Sequence, residues 1–91
     1  MIISFKCSDT EALAKGYRVQ RFINIERGAL RKLQQLKISE LLTDLKIPPG
    51  NRLETLKGDR DGQFSIRIND QFRICFRWTT GAEDVEIVDY H

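Results

Sequence analysis

An α+β fold, a helical hairpin packed on a twisted, mainly antiparallel sheet, is predicted by three features of the 91-residue sequence. From Asn24 to Leu36 apolar residues recur at helical spacing. Beyond Pro48-Pro49-Gly50 they recur at every second position. Asn69-Asp70-Gln71 and Thr80-Gly81-Ala82 then divide that alternating half into separate runs. Helices first and strands afterwards is the pattern of an α+β domain rather than of βαβ units. The chain is long enough for one core and too short for two, so residues 1–91 are expected to form a single domain.

In chain order, Ile2-Ile3-Ser4-Phe5 reads as a short strand. Ser8-Asp9-Thr10 offers a helix N-cap ahead of Glu11-Ala12-Leu13-Ala14-Lys15, and Gly16 is the stop. Ile25, Ala29, Leu30, Leu33 and Leu36 share one face of an amphipathic helix near 24–37, with Arg27, Arg31, Lys32 and Gln35 on the other faces. Ser39 is placed to cap a second helix with Leu41, Leu42 and Leu45 facing inward. Pro48-Pro49-Gly50 ends it, because proline neither continues the ladder nor tolerates helix before it. These two helices are the expected hairpin.

Arg52–Leu56 is the next strand, 57–62 a turn or loop, and Gln63–Ile68 a clearly alternating strand. After Asn69-Asp70-Gln71, the strand Phe72–Trp78 puts Phe72, Ile74, Phe76 and Trp78 on one face and Arg73, Cys75 and Arg77 on the other. The register can be tested against itself. With Ile68 opposite Phe72, Ile66 meets Ile74, Phe64 meets Phe76, and every apolar residue falls on one side. The same register sets Arg67 opposite Arg73, a like-charge pair costing roughly 0.2–1 kcal/mol unless an anion intervenes. Asp89 or a ligand phosphate is the expected anion. The closing run Val85-Glu86-Ile87-Val88-Asp89-Tyr90-His91 is a strand with Asp89, Tyr90 and His91 at its exposed tip.

Composition narrows the function classes. Apolar residues make up 41% and charged residues 31%, values of a soluble globular protein, with no long apolar run and no signal-like leader. No membrane association and a cytoplasmic location are therefore expected. Cys7 and Cys75 fit no metal or redox spacing and are expected to be reduced. Net charge is +2, unevenly spread: residues 1–50 carry nine Lys/Arg against five Asp/Glu, and residues 51–91 six against eight. A basic helical half suits a solvated helix face first, and also contact with a polyanion.

Gly58-Asp59-Arg60-Asp61-Gly62 lacks the acidic spacing of a calcium loop and reads as a turn. One histidine and two separated cysteines do not make a zinc site, and no phosphate-binding glycine loop is present, so no metal or cofactor is expected. Nor does anything mark an activated nucleophile. Lys57, Arg73, Asp89 and His91 remain as phosphate-directed chemistry. The cations suit a phosphate and its transition state. Aspartate and histidine, with ordinary pKa values near ~3.9 and ~6.5, suit proton transfer. Tyr90 can stack on a base. Taken alone, each reads first as a solvated strand residue.

At these residues the chain resembles a known family. Pro48-Pro49-Gly50-Asn51-Arg52-Leu53-Glu54, Leu56-Lys57-Gly58-Asp59-Arg60, Ser65-Ile66-Arg67-Ile68-Asn69, Arg73-Ile74-Cys75-Phe76 and the terminal Val85–His91 are similar to HigB-type toxins of the RelE/ParE superfamily, the plasmid maintenance killer group. Phe5-Lys6-Cys7 and Asp9-Thr10-Glu11 extend the likeness, while 15–44 shares mostly the helical pattern.

The resemblance implies a ribosome-dependent endoribonuclease that cuts messenger RNA in the ribosomal A site. It also implies inhibition by a HigA-type helix-turn-helix antitoxin that represses operator DNA. Lys57 and Arg73 would then stabilise the scissile phosphate, Asp89 and His91 would transfer protons, and Tyr90 would position the nucleotide. Arg60, Arg67, Arg77 and Glu54 would complete the RNA-binding set. Glu54 stands where some members carry histidine, which leaves open whether it shares the acid/base role or is a strand-surface glutamate. A ParE-like gyrase inhibitor without nuclease chemistry, and a non-enzymatic module acting with its antitoxin on operator DNA, are the alternatives. ParE-like proteins lack the terminal acid/base cluster.

Overall fold

The computed structural model describes residues 1–90. Two α-helices, α1 (Ser8–Ala14) and α2 (Glu26–Ile38), pack together on one face of a four-stranded antiparallel sheet. Its strands are β1 (Glu54–Thr55), β2 (Phe64–Arg67), β3 (Phe72–Trp78) and β4 (Ala82–Asp89), in the spatial order β1-β2-β3-β4. The α+β class is as expected. Among the described residues no helix is long and apolar enough to cross a membrane.

The β2–β3 hairpin holds the expected register, with Phe64 opposite Phe76, Ile66 opposite Ile74 and Arg67 opposite Arg73. The Ile68 amide donates to the Phe72 carbonyl at 2.9 Å, and Asn69 Oδ1 accepts from the Gln71 and Phe72 amides to tie the turn. Ile66, Ile74, Phe76, Val85 and Ile87 from the sheet meet Leu13 of α1 and Ala29, Leu33 and Leu36 of α2 in one core. Each of the larger side chains stabilises the fold by roughly 1.5–3 kcal/mol relative to exposure. The Phe22 ring edge meets Phe72 at 6.4 Å between centroids, closing the core near the strand ends.

Three expectations at the level of elements are corrected. The N-terminal strand is reduced to two isolated parallel bridges, Ile2 with Ala82 and Phe5 with Val85, so residues 1–6 line the outer edge of β4. The second helix does not form. Residues Leu42–Lys46 make a short 3-10 helix, because Asp44 Oδ2 accepts from both the Glu40 and Leu41 amides at 3.0 Å and because Ile47, preceding Pro48, is extended. Leu45 is buried, but Leu41 points to solvent with 63% of its surface exposed. The partner of α2 in the helical pair is therefore α1. Finally, β1 is confined to Glu54–Thr55, and β4 starts at Ala82, earlier than the alternating run alone suggests.

Candidate active site

The helices cover one face of the sheet, and Glu54, Arg60, Arg67 and Arg73 belong to the other. Directly opposed residues of antiparallel strands share a side. One row across the sheet therefore reads Glu54, Ser65, Cys75, Glu86, and the next reads Arg67, Arg73, Val88. Ser65 and Cys75 are fully buried although they face away from the helices. The β1–β2 connection, residues 56–63, covers them: Arg60 Nη1 reaches across the sheet to Glu86 Oε1 on β4 at 2.8 Å. The connection also lies against Arg77, since a Cβ on Gly62 would stand 2.8 Å from Arg77 Nη1.

Arg73 is held at the middle of this face. Its Nε donates to Ser65 Oγ at 2.8 Å and its Nη2 to the Arg52 carbonyl at 2.6 Å. Arg52 is left-handed, with φ 46°, which turns that carbonyl inward at the cost of backbone strain. Glu54 Oε2 stands 3.8 Å from Nη2, so Glu54 is on the Arg73 side of the sheet. Nη1 makes no hydrogen bond among the described residues. At the Arg67–Arg73 opposition, Arg67 turns to the Asp70 carboxylate, and Arg73 turns to Ser65, Arg52 and Glu54.

Lys57 opens the 57–62 segment, exposed and without an ion-pair partner among the described residues. Arg60 is fixed by Glu86 and by Gln63 Oε1 at 3.2 Å, and Lys6 Nζ approaches the same Glu86 oxygen at 3.9 Å. The Glu86 hydrogen bond pushes the Arg60 pKa up, and the Tyr90 phenol also acts on it, so the guanidinium stays charged. Below it, burial pushes the Cys75 thiol up, which suits a packed thiol rather than a nucleophile. Arg77 Nε lies 3.8 Å from Asp84.

The tip of β4 is divided between the two faces. Val88 is the register partner of Arg73, whereas Asp89 is the partner of Phe72, on the helix-facing side. Asp89 Oδ2 accepts from Gln71 Nε2 at 3.1 Å, and the structure does not set it beside Arg73. The Tyr90 amide donates to the Gln71 carbonyl at 2.6 Å, and its ring is exposed. His91 lies outside the described residues.

The structure thus brings together Arg73, Glu54 and Arg60, with Lys57 leading the covering segment, and leaves Arg67 and Arg77 paired with acids nearby. Ser65, Arg52 and Glu86, which hold the two central arginines, escaped the sequence reading. A signal for Ser65 was present. The register that opposes Arg67 to Arg73 puts Ser65 one step diagonally away, roughly 7–8 Å between backbones and within reach of an arginine.

Two comparisons with known proteins agree with this architecture. The HigB-like toxin family, described as RelE-like toxin of type II toxin-antitoxin system HigB, matches residues 15–91. The whole chain is 38% identical, over 93 aligned residues, to Toxin HigB-1 of Vibrio cholerae serotype O1, and covers 98% of that protein. A protein of Haemophilus influenzae, described only as uncharacterized, is 32% identical over 68 residues, which are 75% of this chain and 67% of that protein. With its antiparallel sheet backed by two helices, the chain belongs to the HigB-like family of RelE-like toxins from type II toxin–antitoxin systems.

Proposed function

We propose that this toxin is a ribosome-dependent endoribonuclease that cleaves messenger RNA in the ribosomal A site. One observation carries the reading: Arg73, largely buried on the sheet face away from the helices, is aimed by two fixed acceptors beside the Glu54 carboxylate. A guanidinium so fixed is pre-organised to stabilise charge that develops on a phosphate, and the exposed Lys57 ammonium adds a second cation. Arg60, Arg67 and Arg77 contribute backbone contacts, and the exposed Tyr90 ring stacks on a nucleotide.

The reaction is an internal displacement. A base removes the proton from the ribose 2′-hydroxyl, the 2′-oxygen bonds to phosphorus as the bond to the 5′-oxygen breaks, and an acid protonates that leaving oxygen. The products carry a 2′,3′-cyclic phosphate and a 5′-hydroxyl, and no water is consumed. Glu54 beside Arg73, and Asp89 and His91 at the end of the chain, are the proton carriers. The toxin works in the cytoplasm, where translating ribosomes are. A helix-turn-helix antitoxin of the HigA type restrains it and carries the complex to operator DNA.

Primer extension on a translated messenger with purified protein tests this. Wild type is expected to cut only when ribosomes translate, and Arg73→Ala to lose about 10²-fold or more, as when a transition-state donor is removed. Glu54→Gln, Asp89→Asn and His91→Gln identify the base as the variant that loses the rising limb of the pH–rate profile. Unchanged cleavage in both Arg73→Ala and His91→Gln would sink the site. Absence of ribosome-dependent cleavage, with gyrase inhibited instead, would favour the ParE-like alternative.

A further inference from the structure

The 57–62 strap lies over the sheet face that carries Arg73, and one side chain fastens it there. Its neck is closed by the Leu56 amide, which donates to the Gln63 carbonyl at 2.9 Å. Within it the Arg60 amide donates to the Lys57 carbonyl at 3.3 Å and the Asp61 amide to the Gly58 carbonyl at 3.0 Å, so the backbone from Lys57 to Asp61 moves as one short turn. Every residue of that turn is exposed except Arg60, which is drawn inward. Its Nη1 bond to Glu86 Oε1 at 2.8 Å is, among the described residues, the one side-chain hydrogen bond that ties the strap to β3 or β4.

Glu86 is a firm anchor. It lies within β4 opposite the fully buried Cys75, and only 17% of its side chain is exposed. Lys6 Nζ, largely in solvent, stands 3.9 Å from the same oxygen and shares it weakly. Beneath the strap lies the buried Ser65, whose hydroxyl accepts from Arg73 Nε. One carboxylate thus holds a segment that begins with Lys57 and covers the acceptor that aims Arg73. Considered as charge alone, Glu86 is misplaced. A carboxylate on a face that receives RNA repels the phosphates, and its removal would strengthen binding. What it holds accounts for its presence there.

We propose that Glu86 is a positioning residue of the nuclease site: through Arg60 it fixes the strap, and with it Lys57, in one place over the sheet, and it keeps the Ser65–Arg73 bond beneath closed to water. The proposal rests on the nuclease reading. It gives Arg60 two tasks. Nη1 is committed to Glu86 and Gln63, while Nε and Nη2, which make no hydrogen bond among the described residues, remain for a phosphate. Fixing a cation before substrate arrives serves the chemical step more than binding.

Single-turnover cleavage of a messenger on programmed ribosomes, followed over a series of toxin concentrations, separates the maximal rate from the half-saturating concentration. Glu86→Gln keeps the shape of the side chain and removes its charge. It is expected to lower the maximal rate about tenfold, with the half-saturating concentration unchanged or lower. Amide exchange at Arg60, Asp61 and Gln63 is expected to quicken as the strap loosens. Arg60→Ala tests the same contact from the solvent side, and circular dichroism checks the fold of both variants. Combined with Glu86→Gln it is expected to lose no more rate than Arg60→Ala alone, since the two side chains act through one contact. An unchanged or raised maximal rate in Glu86→Gln overturns the proposal and leaves the nuclease reading standing, as does a double variant whose two losses multiply. A wild type that cleaves no messenger overturns both.

Discussion

Arginine on the polar face of a sheet ordinarily extends into water, but only 11% of the Arg73 side chain is exposed. Two of its three nitrogens are committed to acceptors that are themselves fixed: a buried serine hydroxyl, and a carbonyl turned inward by the left-handed Arg52. The guanidinium is planar and donates in fixed directions, so holding Nε and Nη2 also sets the direction of Nη1. Lysine retains the charge and loses the aim. Ser65→Ala removes one acceptor and leaves a buried charged donor unsatisfied, so a loss of about 1–3 kcal/mol is expected in urea unfolding. Under the nuclease reading the same variant lowers kcat more than it raises KM, since aim serves the transition state more than binding. Unchanged kcat at reduced stability would make Ser65 a purely structural partner.

The segment after α2 shows how an element is set by bonds that spacing does not reveal. Leucines at 41, 42 and 45 have helical spacing, yet Asp44 caps the chain back onto Glu40 and Leu41, and the stretch closes as a 3-10 helix. What fastens it to α2 is Asn51, fully buried. Its Nδ2 donates to Gln35 Oε1 at 2.9 Å and the Leu45 carbonyl at 3.1 Å, while its Oδ1 accepts from Lys32. Burial, with Arg31 alongside, pulls the Lys32 pKa down, the electrostatic mark of a lysine drawn against this junction. Asn51→Ala is expected to cost about 1–3 kcal/mol, read as a lower urea midpoint at unchanged m value. The β2–β3 hairpin was legible because only one register collects Ile66, Ile74, Phe64 and Phe76 on one side. Helix α2 was legible because Ala29, Leu33 and Leu36 repeat on a single stripe. The 39–51 segment was not, since a carboxylate cap and a buried amide leave no periodicity. Asp89 could have been assigned correctly: Val85 and Ile87 face the core, so alternation sends Asp89 to that side and Val88 to the side of Arg73.

At the scale of the molecule, one sheet serves two surfaces. Its helix-facing side forms the core, and its other side carries the candidate chemistry under the 56–63 connection. The first residues close the outer edge: Ile3 donates to the Ala82 carbonyl at 2.7 Å, Ala82 to Met1 at 2.8 Å, and Lys6 to Val85 at 3.0 Å. Gly81 permits this approach, because a Cβ there would stand 2.7 Å from the Met1 carbonyl oxygen. Gly81→Ala is therefore expected to loosen residues 1–6, with faster amide exchange at Ile3, Lys6 and Ala82 and a loss of roughly 1–3 kcal/mol. The arginine face remains outside that change, so under the nuclease reading cleavage measured below the melting temperature should persist. The first segment pairs with β4 across a wide gap in sequence, 80 residues between Ser4 and Asp84, and Glu86 of the same strand holds Arg60 from 26 residues away. A growing polypeptide has no partner for residues 1–6 and no anchor for Arg60 until β4 has been made. Arg60, a proposed RNA contact, therefore has no fixed place on the nascent chain until Glu86 has been added.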